Sequence, residues 1–133
     1  MNRDLDEALV RDFPNLYRDR YGDPRDTCMA RGFEIGVGWE PIVRSLSAKL
    51  EVLVAGTDAC AAEVREKSGM LRFAMSGTSR DNVRARQLVV DAIRASCTTC
   101  ERCGAAGKRH HGRDWALALC DDCAERRNQR RRW

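Results

Sequence analysis

The chain has 133 residues, 43% of them hydrophobic and 33% charged, and a formal net charge of +4. That length suits one domain, or one domain with a metal-bound appendage, and the composition excludes a disordered chain. No apolar run approaches a membrane span and no signal peptide is evident, while seven cysteines, an odd number, point to reduced thiols in a cytoplasmic compartment.

Leu5, Ala8, Leu9 and Phe13 recur at helical spacing, with Asp4, Asp6 and Glu7 at the head where the helix dipole favours acids. Leu16 and Tyr17 continue this apolar face past Pro14, so the first helix is predicted near 4–20. Residues 22–38 are rich in glycine, aspartate and proline, which predicts a loop with short ordered pieces at most. A second helix is predicted near 40–55: Pro41 suits its first turn, and Val43, Leu46, Leu50 and Leu53 form its stripe. The period then changes to two, which predicts a β-hairpin near 62–76 turned at Ser68-Gly69. Arg65, Lys67 and Arg72 lie among Glu63 and Glu66 on this hairpin, a self-compensated solvated face. A third helix is predicted near 80–96, capped by Thr78 or Ser79, with Ala85, Leu88, Val89, Ala92 and Ile93 on its inner face.

That helix leads directly into the most informative stretch. Cys100-x-x-Cys103 and Cys120-x-x-Cys123 flank a sixteen-residue insert. This is the spacing of a structural zinc site closed by four thiolates, with one ion and no position left for water. Gly104 suits the positive φ that such a knuckle needs. Disulfides or a redox pair are the competing readings, and the cytoplasmic composition and the two matched pairs disfavour them. Cys97 also forms a Cys-x-x-Cys with Cys100, but it reads as a buried thiol at a helix end. Trp115, Leu117 and Leu119 alternate with Ala116 and Ala118, which predicts a strand entering the second knuckle. The fold class is therefore α+β: a small helical body with a β-hairpin over 1–96, a C-terminal four-cysteine zinc ribbon over 97–127 and a basic tail over 128–133.

Charge is placed unevenly. Residues 97–133 hold nine Lys/Arg and five Asp/Glu, whereas residues 1–96 hold fifteen of each. Arg126, Arg127, Arg130, Arg131 and Arg132, followed by Trp133, are the candidate contacts to nucleic acid or to an acidic partner surface. A solvated, frayed terminus is the alternative. Trp39 and Trp115 read as core or staple residues before base-stacking platforms.

No catalytic constellation is predicted. His110 and His111 invite comparison with nucleases of the His-Asn-His class, but the match is poor: Ala124 follows Cys123 where that class shows a histidine, and no asparagine is suitably placed. Both histidines are instead expected on an exposed turn. A zinc deaminase needs a glutamate beside a ligand histidine and an open metal position, and neither occurs. Gly36-Val37-Gly38 is too little for a nucleotide fingerprint.

Four pieces in order resemble a group of small bacteriophage- and prophage-encoded zinc-ribbon proteins: Phe13-Pro14-Asn15-Leu16-Tyr17, Gly32-Phe33-Glu34-Ile35-Gly36-Val37-Gly38-Trp39, Lys67-Ser68-Gly69-Met70-Leu71-Arg72-Phe73, and the two cysteine knuckles with Trp115 between them. That group typically has Cys and Asp where this chain has Ile35 and Val37, which weakens any catalytic or metal role for the loop. The resemblance implies phage origin, a bacterial host cell as the location, and a zinc ribbon. It implies no activity. The leading functional expectation is a non-enzymatic, zinc-stabilised accessory protein that binds and modulates a host protein such as a defence component. The alternative is a nucleic-acid-binding module using the arginine-rich C-terminus. Neither needs a membrane or a small-molecule substrate.

Overall fold

The computed structural model describes residues 1–77 and 82–131. The predicted caps Thr78 and Ser79, and the predicted contacts Arg132 and Trp133, lie outside the described residues. Helix α1 (Arg3–Asp12) starts where the Asn2 side chain accepts the Leu5 N–H at 3.0 Å. It ends at Asp12, not near residue 20 as the continued apolar face suggests. The reason is Pro14, which disfavours helical backbone at the residue before it, and Phe13 leaves the helix at φ −130°, ψ 63°. The turns that follow take a partner from elsewhere: the Glu51 carboxylate accepts the N–H groups of Asn15 at 3.0 Å and Leu16 at 2.7 Å.

Asp6 serves a different purpose from a dipole-matching acid. It is buried, holds Arg20 by two hydrogen bonds of 3.0 and 3.3 Å, and also accepts the Phe33 N–H at 3.3 Å. This ion pair ties α1 to the glycine-rich loop. The loop contains a single 3-10 turn at Cys28–Arg31, the short strand β1 (Phe33–Glu34) and a second 3-10 turn at Val37–Trp39.

Helix α2 (Glu40–Val54) follows directly, with Pro41 in its first turn and Val43, Leu46, Leu50 and Val54 buried. Strands β2 (Cys60–Lys67) and β3 (Met70–Ser76) form the predicted hairpin. Ser68 at φ 53° and Gly69 at φ 79° turn it, the left-handed pair that a two-residue hairpin turn of right-handed twist requires. Strand β1 adds in parallel to β2, giving a sheet of order β1-β2-β3. Glu63 holds both Arg65 at 3.2 Å and Arg72 at 3.0 Å, so the hairpin's charges are compensated internally.

Helix α3 (Val83–Cys97) is capped by the Asn82 side chain, which accepts the Ala85 N–H at 3.1 Å. It packs on β3 and α2, burying Ala85, Leu88 and Ala92. One apolar core, with Trp39, Tyr17, Leu9, Leu16 and Met29 fully enclosed, joins all these elements. The C-terminal unit then comprises strand β4 (Lys108–His111), its antiparallel partner β5 (Ala116–Leu119) and helix α4 (Asp121–Arg131). The α+β class and the C-terminal cluster of four cysteines are as the sequence predicts. No helix among the described residues is long and apolar enough to cross a membrane.

Candidate metal centre

The first knuckle opens where α3 stops. Thr98 leaves helical backbone, and the chain turns so that the Cys100 N–H donates to the Ala105 carbonyl at 2.8 Å. Gly104 at φ 82° donates back to the Cys100 carbonyl at 2.9 Å, the left-handed position expected from the sequence. The second knuckle lies between β5 and α4. There the Cys123 N–H points at the Cys120 sulfur at 3.4 Å, and the Ala124 N–H donates to the Cys120 carbonyl. The first turn of α4 thus does what a glycine does at the first knuckle, which explains how Ala124 suffices.

These turns bring the sulfurs of Cys100, Cys103, Cys120 and Cys123 within 4.8 Å of one another. The Cys103 and Cys120 sulfurs are 3.7 Å apart. Disulfide sulfurs sit at ~2.0 Å, and every cysteine is a free thiol. Four thiolate donors at this spacing can hold one metal ion. Cys100 and Cys123 are buried, whereas Cys103 is exposed, so the centre sits at the rim of the unit with one ligand facing outward.

Electrostatics at the cluster call for a cation. Burial works against charge on Cys100, but the backbone N–H groups of Cys120, Cys103 and Arg102 face its sulfur and lower its pKa to about 6. Burial pushes the Cys123 thiol up to about 12, and the neighbouring thiols Cys120, Cys100 and Cys103 add to the rise. At Cys103 the Ala105 N–H favours the thiolate, but the sulfurs of Cys100 and Cys120 outweigh it and the pKa rises. Further thiolate charge is thus opposed at Cys103 and Cys123, and a divalent cation bound there would offset that opposition.

Cys97 stays outside the cluster. It is half-buried at the end of α3, with its thiol on the Ile93 carbonyl at 3.4 Å. His111 is exposed as expected, but neither histidine lies on a turn and His110 is not exposed. Both are on β4, and His110 is half-buried with Nε2 3.1 Å from the Leu119 carbonyl oxygen. Among the described residues, the four cysteines alone form a metal-ligating cluster.

Because α3 runs directly into the first knuckle, the sequence predicts a cysteine unit joined rigidly to the body, and contacts from residues distant in the chain add to that join. Gly36 and Gly38 are not a nucleotide loop and not merely breakers. The Gly38 N–H donates to the Glu101 carbonyl at 2.7 Å, and the Gly36 N–H donates to the Glu101 carboxylate at 3.0 Å. A Cβ on Gly38 would collide with the Cys100 carbonyl oxygen, and one on Gly36 would collide with that of Glu101. Burial raises the Glu101 pKa while the Gly36 N–H opposes the rise. Trp39 donates its indole N–H to the Thr99 carbonyl at 2.9 Å. On the other side, Arg109 of β4 donates to the Ser68 carbonyl at 2.6 Å, and Gly69 lies against the backbone of Ala116 and Leu117. Ala118 enters the body's core, while Leu119 packs with Cys100 and Cys123. The glycine loop, the hairpin turn and the knuckles therefore meet in one seam.

The arginines do not form a loose tail. Arg126, Arg127, Arg130 and Arg131 belong to α4, which continues straight from the second knuckle. The Arg127 guanidinium lies 3.9 Å over the Trp115 ring and that of Arg131 lies at 5.7 Å. Trp115 is thus a staple between β5 and α4, and Trp39 is a core residue. Comparison with protein-family models, curated proteins and solved structures gives no match for this chain.

Proposed function

We propose that this is a non-enzymatic accessory protein, of phage or prophage origin as its motifs suggest, that is stabilised by one zinc ion and binds nucleic acid through helix α4. Zinc is favoured by the donor set: four thiolates are soft ligands, and a tetrahedral ion with Zn–S bonds of about 2.3 Å spaces its sulfurs at ~3.8 Å, against 3.7 Å for Cys103 and Cys120. Cys100, Cys103, Cys120 and Cys123 would hold it, and a filled thiolate shell supplies structure and leaves no position for a reacting water. The observation that carries the nucleic-acid reading is that the arginines stand on an ordered helix fixed at its N-terminus by two metal ligands. Arg126 and Arg130 are exposed along it, and phosphate contacts need such fixed cations. Binding of a labelled single-stranded oligonucleotide, followed by anisotropy, is expected to weaken steeply with salt. Arg126→Gln and Arg130→Gln should each lower the salt slope by about one. Salt-indifferent binding, or none at low salt, overturns the reading.

One observation favours the protein-binding reading. A pocket of about 380 Å³ lies between α2 and α3, with Ile42, Leu46, Leu88 and Ala92 on its apolar wall and Lys49 and Asp91 as its charged lining. A host protein seated there should be retained after nuclease treatment and lost with Ile42→Glu.

A further inference from the structure

Helix α4 carries Arg127 and Arg131 one turn apart on the same face, a like-charge pair that weakens a helix in isolation. Both guanidiniums gather at Trp115. Arg127 is half-buried, and its Nη1 is sealed from solvent without an acceptor. A buried N–H of a charged group left without an acceptor is costly. Burial, then the charges of Arg131 and Arg102, hold the Arg127 pKa below its ordinary value. The nearest acid along this part of α4, Glu125, is instead engaged by Gln129 at 3.4 Å. Two guanidiniums thus converge on one aromatic ring, and among the described residues neither is hydrogen-bonded or ion-paired to a carboxylate.

We infer that Arg127 and Arg131, set around Trp115, form a phosphate-binding site that takes one backbone phosphate of a nucleic-acid strand. The inference rests on the nucleic-acid reading above and gives it a specific anchor. Chemically, an oxyanion set against exposed Arg131 and the open part of the half-buried Arg127 neutralises the repulsion between the two guanidiniums. Arginine matches phosphate with paired N–H donors, as lysine does not. Both arginines stand on the helix that follows the second knuckle, and Trp115 directly precedes the strand that enters it.

The test titrates inorganic phosphate into the metal-loaded full chain and follows the indole N–H signals by NMR. Expected is a saturable shift of the Trp115 signal, weakened about tenfold or more by Arg127→Gln and less by Arg131→Gln. Metal content and the amide spectrum report whether each variant is folded, and Arg131→Gln serves if Arg127→Gln is not. Chloride at equal ionic strength should leave the signal in place. If the oligonucleotide binds but phosphate does not move Trp115, the site is wrong and the nucleic-acid reading survives. If phosphate saturates Trp115 but no oligonucleotide binds, the site stands and the nucleic-acid reading falls. If poly-glutamate shifts Trp115 and phosphate does not, the cluster is a carboxylate site and the inference is overturned.

Discussion

The body and the cysteine unit solve the same problem by different means. The body encloses Trp39, Tyr17, Leu9, Leu16, Met29 and Leu50 in a continuous apolar core. The cysteine unit's own cluster comprises only Cys100, Leu119 and Cys123, helped by Leu117, Cys120 and Ala124 at its margin, while its buried Ala118 joins the body's core. So small a cluster cannot offset the chain entropy of ordering 34 residues from Thr98 to Arg131. An ion held by the four cysteines would supply most of that stabilisation, and the seam to the body the rest. Stability would then be apolar at one end and coordinative at the other.

The sharpest way to break this comparison is to remove the ion. Chelation, or Cys100→Ser, should withdraw on the order of 10 kcal/mol from the unit. Hydrogen-exchange protection should vanish across β4, β5 and α4 but persist in α2 and the β2-β3 hairpin. Loss of protection everywhere would show that the body has no independent stability. The affinity for zinc should weaken as pH falls. Cys123 and Cys103, whose pKa values are raised, carry protons at neutral pH that the metal must displace. Cys100, at about 6, is already mostly thiolate there and releases little. Competition with a chromophoric chelator at several pH values measures this, and a flat profile would contradict it.

Next comes the seam. Gly38→Ala places a methyl group against the Cys100 carbonyl, and thermal unfolding should show a loss of about 3 kcal/mol. It should also alter Trp39 fluorescence as the bond to Thr99 is released. An unaltered melt would mean that the two regions are not locked together here. A body-only lesion provides the contrast. Asp6→Ala leaves Arg20 without its buried partner and should cost roughly 3 kcal/mol, with metal stoichiometry unchanged in the folded protein. The smallest effect is expected at the histidines. His110→Ala removes one hydrogen bond to the Leu119 carbonyl, about 0.5–1 kcal/mol in a denaturant series, and metal content should stay the same.

What the sequence reveals depends on how local the controlling interaction is. The knuckles are legible because two intervening residues fix where both sulfurs point. The hairpin turn is legible because Ser68-Gly69 sits between alternating runs, and α2 and α3 because their stripes repeat over fifteen residues each. The end of α1 is less so: Leu16 and Tyr17 are indeed buried, but Pro14 delivers them from a turn. The Asp6–Arg20 pair and the Glu101 contacts of Gly36 and Gly38 join residues far apart in the chain, so no window of sequence displays them. Helix α4 is hidden for another reason. It buries only Cys123 and has no apolar stripe to betray it; the knuckle starts it and the Trp115 stack holds it.

The seam at Gly38 is made between main chains. Peptide groups are common to every residue, so this join does not depend on the exposed side chain of Arg102. Substitutions on the outward face of the cysteine unit, its four cysteines apart, should therefore leave the handle that joins it to the body intact.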